Sequence, residues 1–335
     1  MNLCMLKPVP LNVLKENKMQ ENLKDTYETQ KMLNDIYRKK DYSSLDGRSL
    51  AELQKIQTDF KEQFKDFVPE PVNVICIKWG NAYSAEDVNK LFHSVVRYTF
   101  FHQVNFYCFT DDSKGLDKEI IVKPLPVLNV APEDNKYAYK KEAGLCDDHL
   151  GGLTGKRVFF FDLDSLIVGS LDSFFAYPQG DKFYTINDWK HRRGKKANKV
   201  GQASCYSWVV GTLGYVKKYF EEHPKEMVAR YYTASQEYLS AKVIEKEGKL
   251  NFWPDNWFKS YRFHCMPNPL LRWFVTPRLP KVKGLKMVAF HGLPGIADAI
   301  KGIWTTDKSC PKRPKGYKHL YKHVKPADWI KEYWQ

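Results

Sequence analysis

Asp162 and Asp164 stand one residue apart inside the run VFFFDLDSLIVGSLDSFF, residues 158–175. Four apolar residues lead into the pair and a second apolar run follows it. A carboxylate drawn out of water is costly unless it is paired or binds a cation. The run therefore predicts a buried strand whose C-terminal end opens into a cleft containing a cation. Hard oxygen ligands of this kind suit Mn²⁺ or Mg²⁺.

The elements that must position this pair follow from apolar patterning. VNVICIKWG (72–80) predicts a buried strand ending in glycine, and SAEDVNKLFHSVVRYTF (84–100) an amphipathic helix opened by Ser84. VNFYCFTDD (104–112) reads as a second strand, EIIVKPLP (119–126) as a third, and residues 136 to 150 as helical. This alternation is that of an α/β layer with a largely parallel sheet. Ligands of such sheets bind beyond the carboxyl ends of the strands. Trp79-Gly80, Asp111-Asp112 and Asp162-x-Asp164 all fall at such ends, which predicts one crevice. No GxGxxG or GxxxxGK[ST] loop occurs, so neither a dinucleotide fingerprint nor a P-loop is indicated.

The chain has 335 residues, 43% apolar and 15% aromatic, enough for a real core. No run approaches the roughly 18 to 20 apolar residues of a membrane span, and the N-terminus lacks a signal-peptide pattern. Seven scattered cysteines without a CxxC pair argue against a zinc cluster or a disulfide framework and for a reducing compartment. A cytoplasmic protein, peripheral on the inner face of a membrane, is the expectation. A net charge of +14 favours an anionic partner. Three divisions are expected. Residues 1–68 form a helical extension for docking or homo-oligomerisation, with Leu50, Leu53, Ile56, Phe60, Phe64 and Phe67 on one helix face. Residues 69–300 form the main domain, and 301–335 a basic and aromatic tail.

Two enzymatic readings of Asp162-x-Asp164 compete. A phosphatase of the haloacid dehalogenase type also places DxD after an apolar strand and would make Asp162 a nucleophile. That family expects Gly-Thr after the second Asp, whereas Ser165-Leu166 follows here. The other reading is a nucleotide-sugar transferase. IKWGNAY with VNKLFHSVVRY (77–98), FYCFTDD (106–112), PLP (124–126), the DxD strand and MVAFHGLPGIADA (287–299) together resemble bacterial GT-A glycosyltransferases similar to glycosyltransferase family 8. The resemblance covers about residues 70 to 300 and implies a GT-A fold with a nucleotide-binding half.

It also implies Asp162, Asp164 and His291 as ligands of Mn²⁺ or Mg²⁺. Ile77, Lys78 and Trp79 would face the nucleoside and Tyr83 the base. Asp111 or Asp112 would contact base or ribose, and Lys140 or Lys141 the diphosphate. Asp188, Gln236, Glu237 and Asp255 would lie near the acceptor, a glycan or lipid-linked molecule of surface polysaccharide or lipopolysaccharide synthesis. Family likeness leans toward retention of configuration. The group usually has Asp-Gln where this chain has Ser235-Gln236, and Asn-Ser where it has Tyr206-Ser207.

Two basic stretches remain. KHRRGKKANK (190–199) holds six lysines and arginines and reads as a mobile loop. The tail sets nine basic residues among Trp304, Tyr317, Tyr321, Trp329, Tyr333 and Trp334, which suits an anionic membrane surface. A basic nucleic-acid-binding protein is the non-enzymatic alternative. The absence of RRM, KH and helix-turn-helix signatures weighs against it.

Overall fold

The apolar runs at 72–78 and 157–161 become neighbouring strands at the centre of a seven-stranded sheet. The computed structural model describes residues 71–99, 102–134, 139–192, 194–232, 234–305 and 321–335. The expected helical extension over residues 1–68 lies outside them. In chain order the first half contains β1 (Val72–Lys78), α1 (Ala85–Arg97), β2 (Val104–Thr110), β3 (Ile121–Lys123), α2 (Tyr139–Glu142), β4 (Arg157–Phe161) and β5 (Ser165–Ile167). Next come α3 (Asp172–Ala176), β6 (Tyr184–Asn187), β7 (Gly201–Val209), α4 (Gly214–Glu222), α5 (Pro224–Tyr231) and α6 (Ser235–Glu247). The last elements are β8 (Asn251–Phe252), β9 (Phe258–Ser260), β10 (Met287–Ala289) and α7 (Ile296–Lys301).

The main sheet runs β3-β2-β1-β4-β7-β6-β8. β7 pairs antiparallel with both of its neighbours, and every other pairing in this sheet is parallel. The protein is thus mixed α/β with a largely parallel central sheet, as the sequence predicts. Both faces are covered, which explains why β1 and β4 are apolar throughout instead of alternating. Val74, Cys76, Phe159 and Phe161 enter one core with α1, and Ile75, Ile77, Val158 and Phe160 enter a second core on the opposite face. α1 begins where expected. Ser84 Oγ accepts from the Asp87 amide at 3.3 Å while Asp87 Oδ2 accepts from the Ser84 amide at 2.8 Å, a reciprocal cap contributing about 1 kcal/mol.

A second, three-stranded sheet, β5-β10-β9, packs beside the first. β5 leaves the main sheet directly after Asp164, so one short turn joins the two sheets. Its neighbours carry the chain ends that reach the site, Ser260 closing β9 and Phe290-His291 following β10.

Two expectations are corrected here. Of the stretch expected to be helical at 136 to 150, the described residues begin at Tyr139 and form one turn of helix, α2, followed by 3-10 turns at Gly144–Cys146 and Leu150–Gly152. Most aromatics in the described part of the tail turn inward, although Tyr321 is exposed. Trp304, Tyr333 and Trp334 are buried with Val324, Ala327 and Ile330 in the core of α1, and Trp329 packs against it. Ser94 Oγ on α1 donates to the Tyr333 carbonyl at 3.2 Å. Gly302 makes room for this return, with φ +67° and Pro326 2.5 Å from the place a Cβ would occupy. Among the described residues no helix is long and apolar enough to cross a membrane.

Candidate active site

The C-terminal ends of β1 and β4 open into a cavity of about 760 Å³. Its wall includes Ile77, Trp79, Gly80 to Tyr83, Lys141, Glu142, Asp162, Asp164, Ser235, Gln236 and His291. Backbone bonds fix the acidic turn. The Asp162 amide donates to Ser204 O on β7 at 2.8 Å, and the Phe290 amide donates to Asp164 O at 3.1 Å. The two sheets therefore hold the turn from both sides and bring His291 to the same wall as the aspartates.

Each carboxylate faces a donor. Lys141 Nζ lies 2.8 Å from Asp162 Oδ2 and 3.4 Å from Glu142 Oε1. Tyr83 Oη donates to Asp164 Oδ2 at 3.0 Å. Burial alone would push the Lys141 ammonium down, but Asp162 and Glu142 outweigh it and hold its pKa above the usual lysine range. Burial raises Glu142 despite Lys141 and a 2.9 Å hydrogen bond from Ser235 Oγ. Burial, then the charges of Asp164 and Asp162, pushes the Tyr83 hydroxyl well up, so it stays a donor. Asp162, Asp164 and Glu142 thus meet Lys141, Tyr83 and Ser235 on one wall, and carboxylate oxygens grouped in this way are hard donors of the kind a divalent cation takes.

The expected three-ligand metal set is not assembled. Among the described residues no three His, Cys, Asp or Glu side chains converge to hold a metal ion. His291 reaches the cavity wall, but its Nε2 is 2.7 Å from Ser260 Oγ and its ring stacks on Trp189 with centroids 5.5 Å apart. Asp162 and Asp164 by donor chemistry fit a hard divalent ion. His291 is on the same wall, with Nε2 engaged by Ser260.

The other predicted residues divide. Ile77, Trp79, Tyr83 and Gln236 line the cavity, the last with its Oε1 accepting from the Ala203 amide at 3.3 Å. Lys78 is buried and donates to Asp112 O at 3.3 Å, and Asp111 Oδ2 accepts from the Gly80 amide at 3.4 Å. Lys78, Asp111 and Asp112 therefore brace the end of β1 and are absent from the cavity wall. Lys140 is also absent from it, and Lys141 takes the place open to either lysine. Asp188 is buried with Oδ2 2.6 Å from His191 Nδ1, and Glu237 pairs with Lys196 at 2.5 Å. Arg192 forms an ion pair with Asp255. The basic loop is thus tied back to three of the acidic residues expected near the acceptor, Asp188, Asp255 and Glu237, an arrangement that its composition did not reveal.

Glu142, Ser235 and Ser260 escaped the sequence reading as site residues. The Tyr-Lys-Lys-Glu run of α2 resembles a solvated helix face, and only the flanking Tyr139 and Ala143, both buried, hint otherwise.

No protein-family model matches the sequence, and no curated protein matches it. Among solved structures, WbbM, a bifunctional glycosyltransferase in its apo form, is similar at a TM-score of 0.43 and 12% identity over 68% of this chain and 46% of that one. The galactosyltransferase LgtC with donor and acceptor sugar analogues is similar at 0.43 and 14% identity, over 67% of this chain and 89% of that one. Mouse xyloside xylosyltransferase 1 in its apo form is similar at 0.43 and 11% identity, over 68% of this chain and all of that one. The chain spans less than half the length of WbbM.

Proposed function

We propose that this protein is a glycosyltransferase that moves a sugar from a nucleoside-diphosphate donor to a glycan or lipid-linked acceptor. One observation carries the reading: Asp162 and Asp164, at the C-terminal end of β4, face a cavity that also exposes Lys141 and the end of β1. In a parallel sheet this edge is where phosphorylated ligands bind. The nucleoside lies against Ile77, Trp79 and the Gly80 to Tyr83 turn. Lys141 offers its charge to the diphosphate, in exchange for part of its contact with Asp162. Asp162 and Asp164 would hold Mn²⁺ or Mg²⁺, with His291 as a third ligand once released from Ser260. When bound, such an ion neutralises charge on the leaving diphosphate. Tyr83 keeps Asp164 oriented through its hydroxyl. Gln236 has no proton to gain or lose near neutral pH, so it steadies the sugar or orients the acceptor and is not a general base.

A thermal-shift panel of nucleotides and nucleotide sugars, with and without Mn²⁺, tests this on wild type and Asp164→Ala. A ligand bound to the native state alone stabilises it by about 2.7 kcal/mol at a hundred times its Kd. A metal-dependent rise in Tm with one nucleotide class, absent in the variant, is expected. No rise with any nucleotide, together with hydrolysis of a generic phosphate ester, would replace the reading with the phosphatase.

A further inference from the structure

A loop beside the cavity exposes the side chains that a soluble surface normally hides. Leu270 is 83% exposed and Phe274 76%, with Leu271, Trp273 and Phe263 also open to solvent. Scattered apolar residues are ordinary on a surface, but four within five positions form a patch. The loop is well supported from beneath. The Arg278 amide donates to Cys265 O at 3.1 Å, Arg272 Nη1 donates to Tyr321 O at 2.8 Å, and Trp273 stacks on His323 with centroids 3.8 Å apart. The exposed side chains therefore stand on a braced scaffold.

The charge along this stretch of sequence is one-sided. From Asn256 to Ala297 the sequence contains no Asp or Glu, yet it holds Lys259, Arg262, Arg272, Arg278, Lys281, Lys283 and Lys286. Arg262, Arg278, Lys281 and Lys283 are exposed. Residues 1–70 carry twelve basic and twelve acidic side chains, so the whole excess of +14 lies in the remainder of the chain. Apolar side chains rimmed by cations match an anionic bilayer, where hydrocarbon takes the first and headgroups the second. Phe263, Trp273 and Phe274 are rings a base can stack on, but Leu270, the most exposed of the five, is not, and a mixed aliphatic and aromatic patch suits hydrocarbon better than single-stranded nucleic acid.

We propose that the 263–274 loop inserts into an anionic membrane surface, with Arg262, Arg278, Lys281 and Lys283 resting on the headgroups. Phe263 lies against His291, ring centroids 5.6 Å apart, so the inserted loop sets the mouth of the cavity at the bilayer. The contact itself rests on this surface alone. Its consequence, that the acceptor is a lipid-borne glycan reached from the headgroup layer, rests on the transfer reading above.

The test is co-sedimentation of the full chain with vesicles of phosphatidylcholine alone or with roughly one third phosphatidylglycerol. Wild type is expected to bind only the anionic vesicles, and less at high salt. The Leu270→Ser/Phe274→Ser double variant should lose about tenfold or more in binding while keeping the wild-type Tm. Failure of wild type to bind, or unchanged binding by the double variant, overturns the proposal. So does a wild-type dimer that the double variant makes monomeric, because a second copy then covers the patch. Hydroxyl-radical labelling that finds the Leu270 and Phe274 side chains already covered without vesicles overturns it too, in favour of another part of this chain. Nucleotide-induced Tm shifts on the same samples read the donor site separately, so either idea can fail without the other.

Discussion

Lys141 and Asp162 form an ion pair of 2.8 Å across the mouth of β4, joining helix α2 to the acidic turn. Losing one partner of such a pair leaves a charge with poor solvation, whereas losing both does not. Asp162→Asn should therefore destabilise the fold by about 2 kcal/mol. Lys141→Met combined with it should cost less than the sum of the single changes by about 1 kcal/mol or more. Urea denaturation of the four proteins measures the coupling, and strict additivity would mean the pair is not formed in solution.

Gln236 and Glu237 are adjacent in sequence but face different neighbours. Gln236 lines the cavity, while Glu237 reaches to Lys196 of the basic loop. If sugar is transferred here, Gln236→Ala should lower kcat by about a hundredfold and Glu237→Gln by less than about threefold. Steady-state kinetics with the donor found in the thermal-shift panel will separate them. Equal losses would relocate the acceptor side.

Ser260 Oγ and His291 Nε2 lie 2.7 Å apart. Removing the hydroxyl takes one competitor from that nitrogen, so Ser260→Ala should tighten Mn²⁺ binding by about three- to tenfold in the presence of a nucleoside diphosphate, and His291→Ala should weaken it. Isothermal titration provides the number. Unchanged affinity in both variants would remove His291 from the metal.

Lys286 is buried, donating to Ser170 O and Ser173 Oγ at 2.6 Å each and lying over Trp257. Burial pushes its pKa down to about 8 from the usual lysine range, with Asp172 opposing. A depressed base binds fewer protons folded than unfolded, so its stability contribution is present above the unfolded pKa and lost as pH falls through the folded one. Between pH of about 8 and 10.5 the wild type should gain about 3 kcal/mol relative to Lys286→Met. Denaturant midpoints at intervals across that window decide it, and parallel profiles would show that Lys286 is charged throughout.

Where burial is two-sided or strictly periodic, the sequence was a good guide. β1 and β4 announced themselves by unbroken apolar runs, α1 by Ser84, and His291 by the strand before it. The acidic turn was legible because charges are rarely driven into a core without a purpose. What stayed hidden depends on contacts across long stretches of chain. Nothing near Ser260 signals that it meets His291, and a Lys-Lys-Glu run looks solvated until Asp162 is brought to it. The tail shows a related limit. Rings among lysines have the composition of a membrane interface, yet at Tyr333 and Trp334 they fill a hollow beside α1.

The bond from Ser94 to the Tyr333 carbonyl joins residues 239 positions apart. At roughly 5 to 20 residues per second, α1 leaves the ribosome about ten to fifty seconds before the segment that covers it is made. During that interval its apolar face has only other partners to lean on. Such a pairing closes late and slowly, α1 waiting on the turn at Asp328–Glu332, and a chain halted in translation short of Tyr333 would present that face to chaperones and proteases.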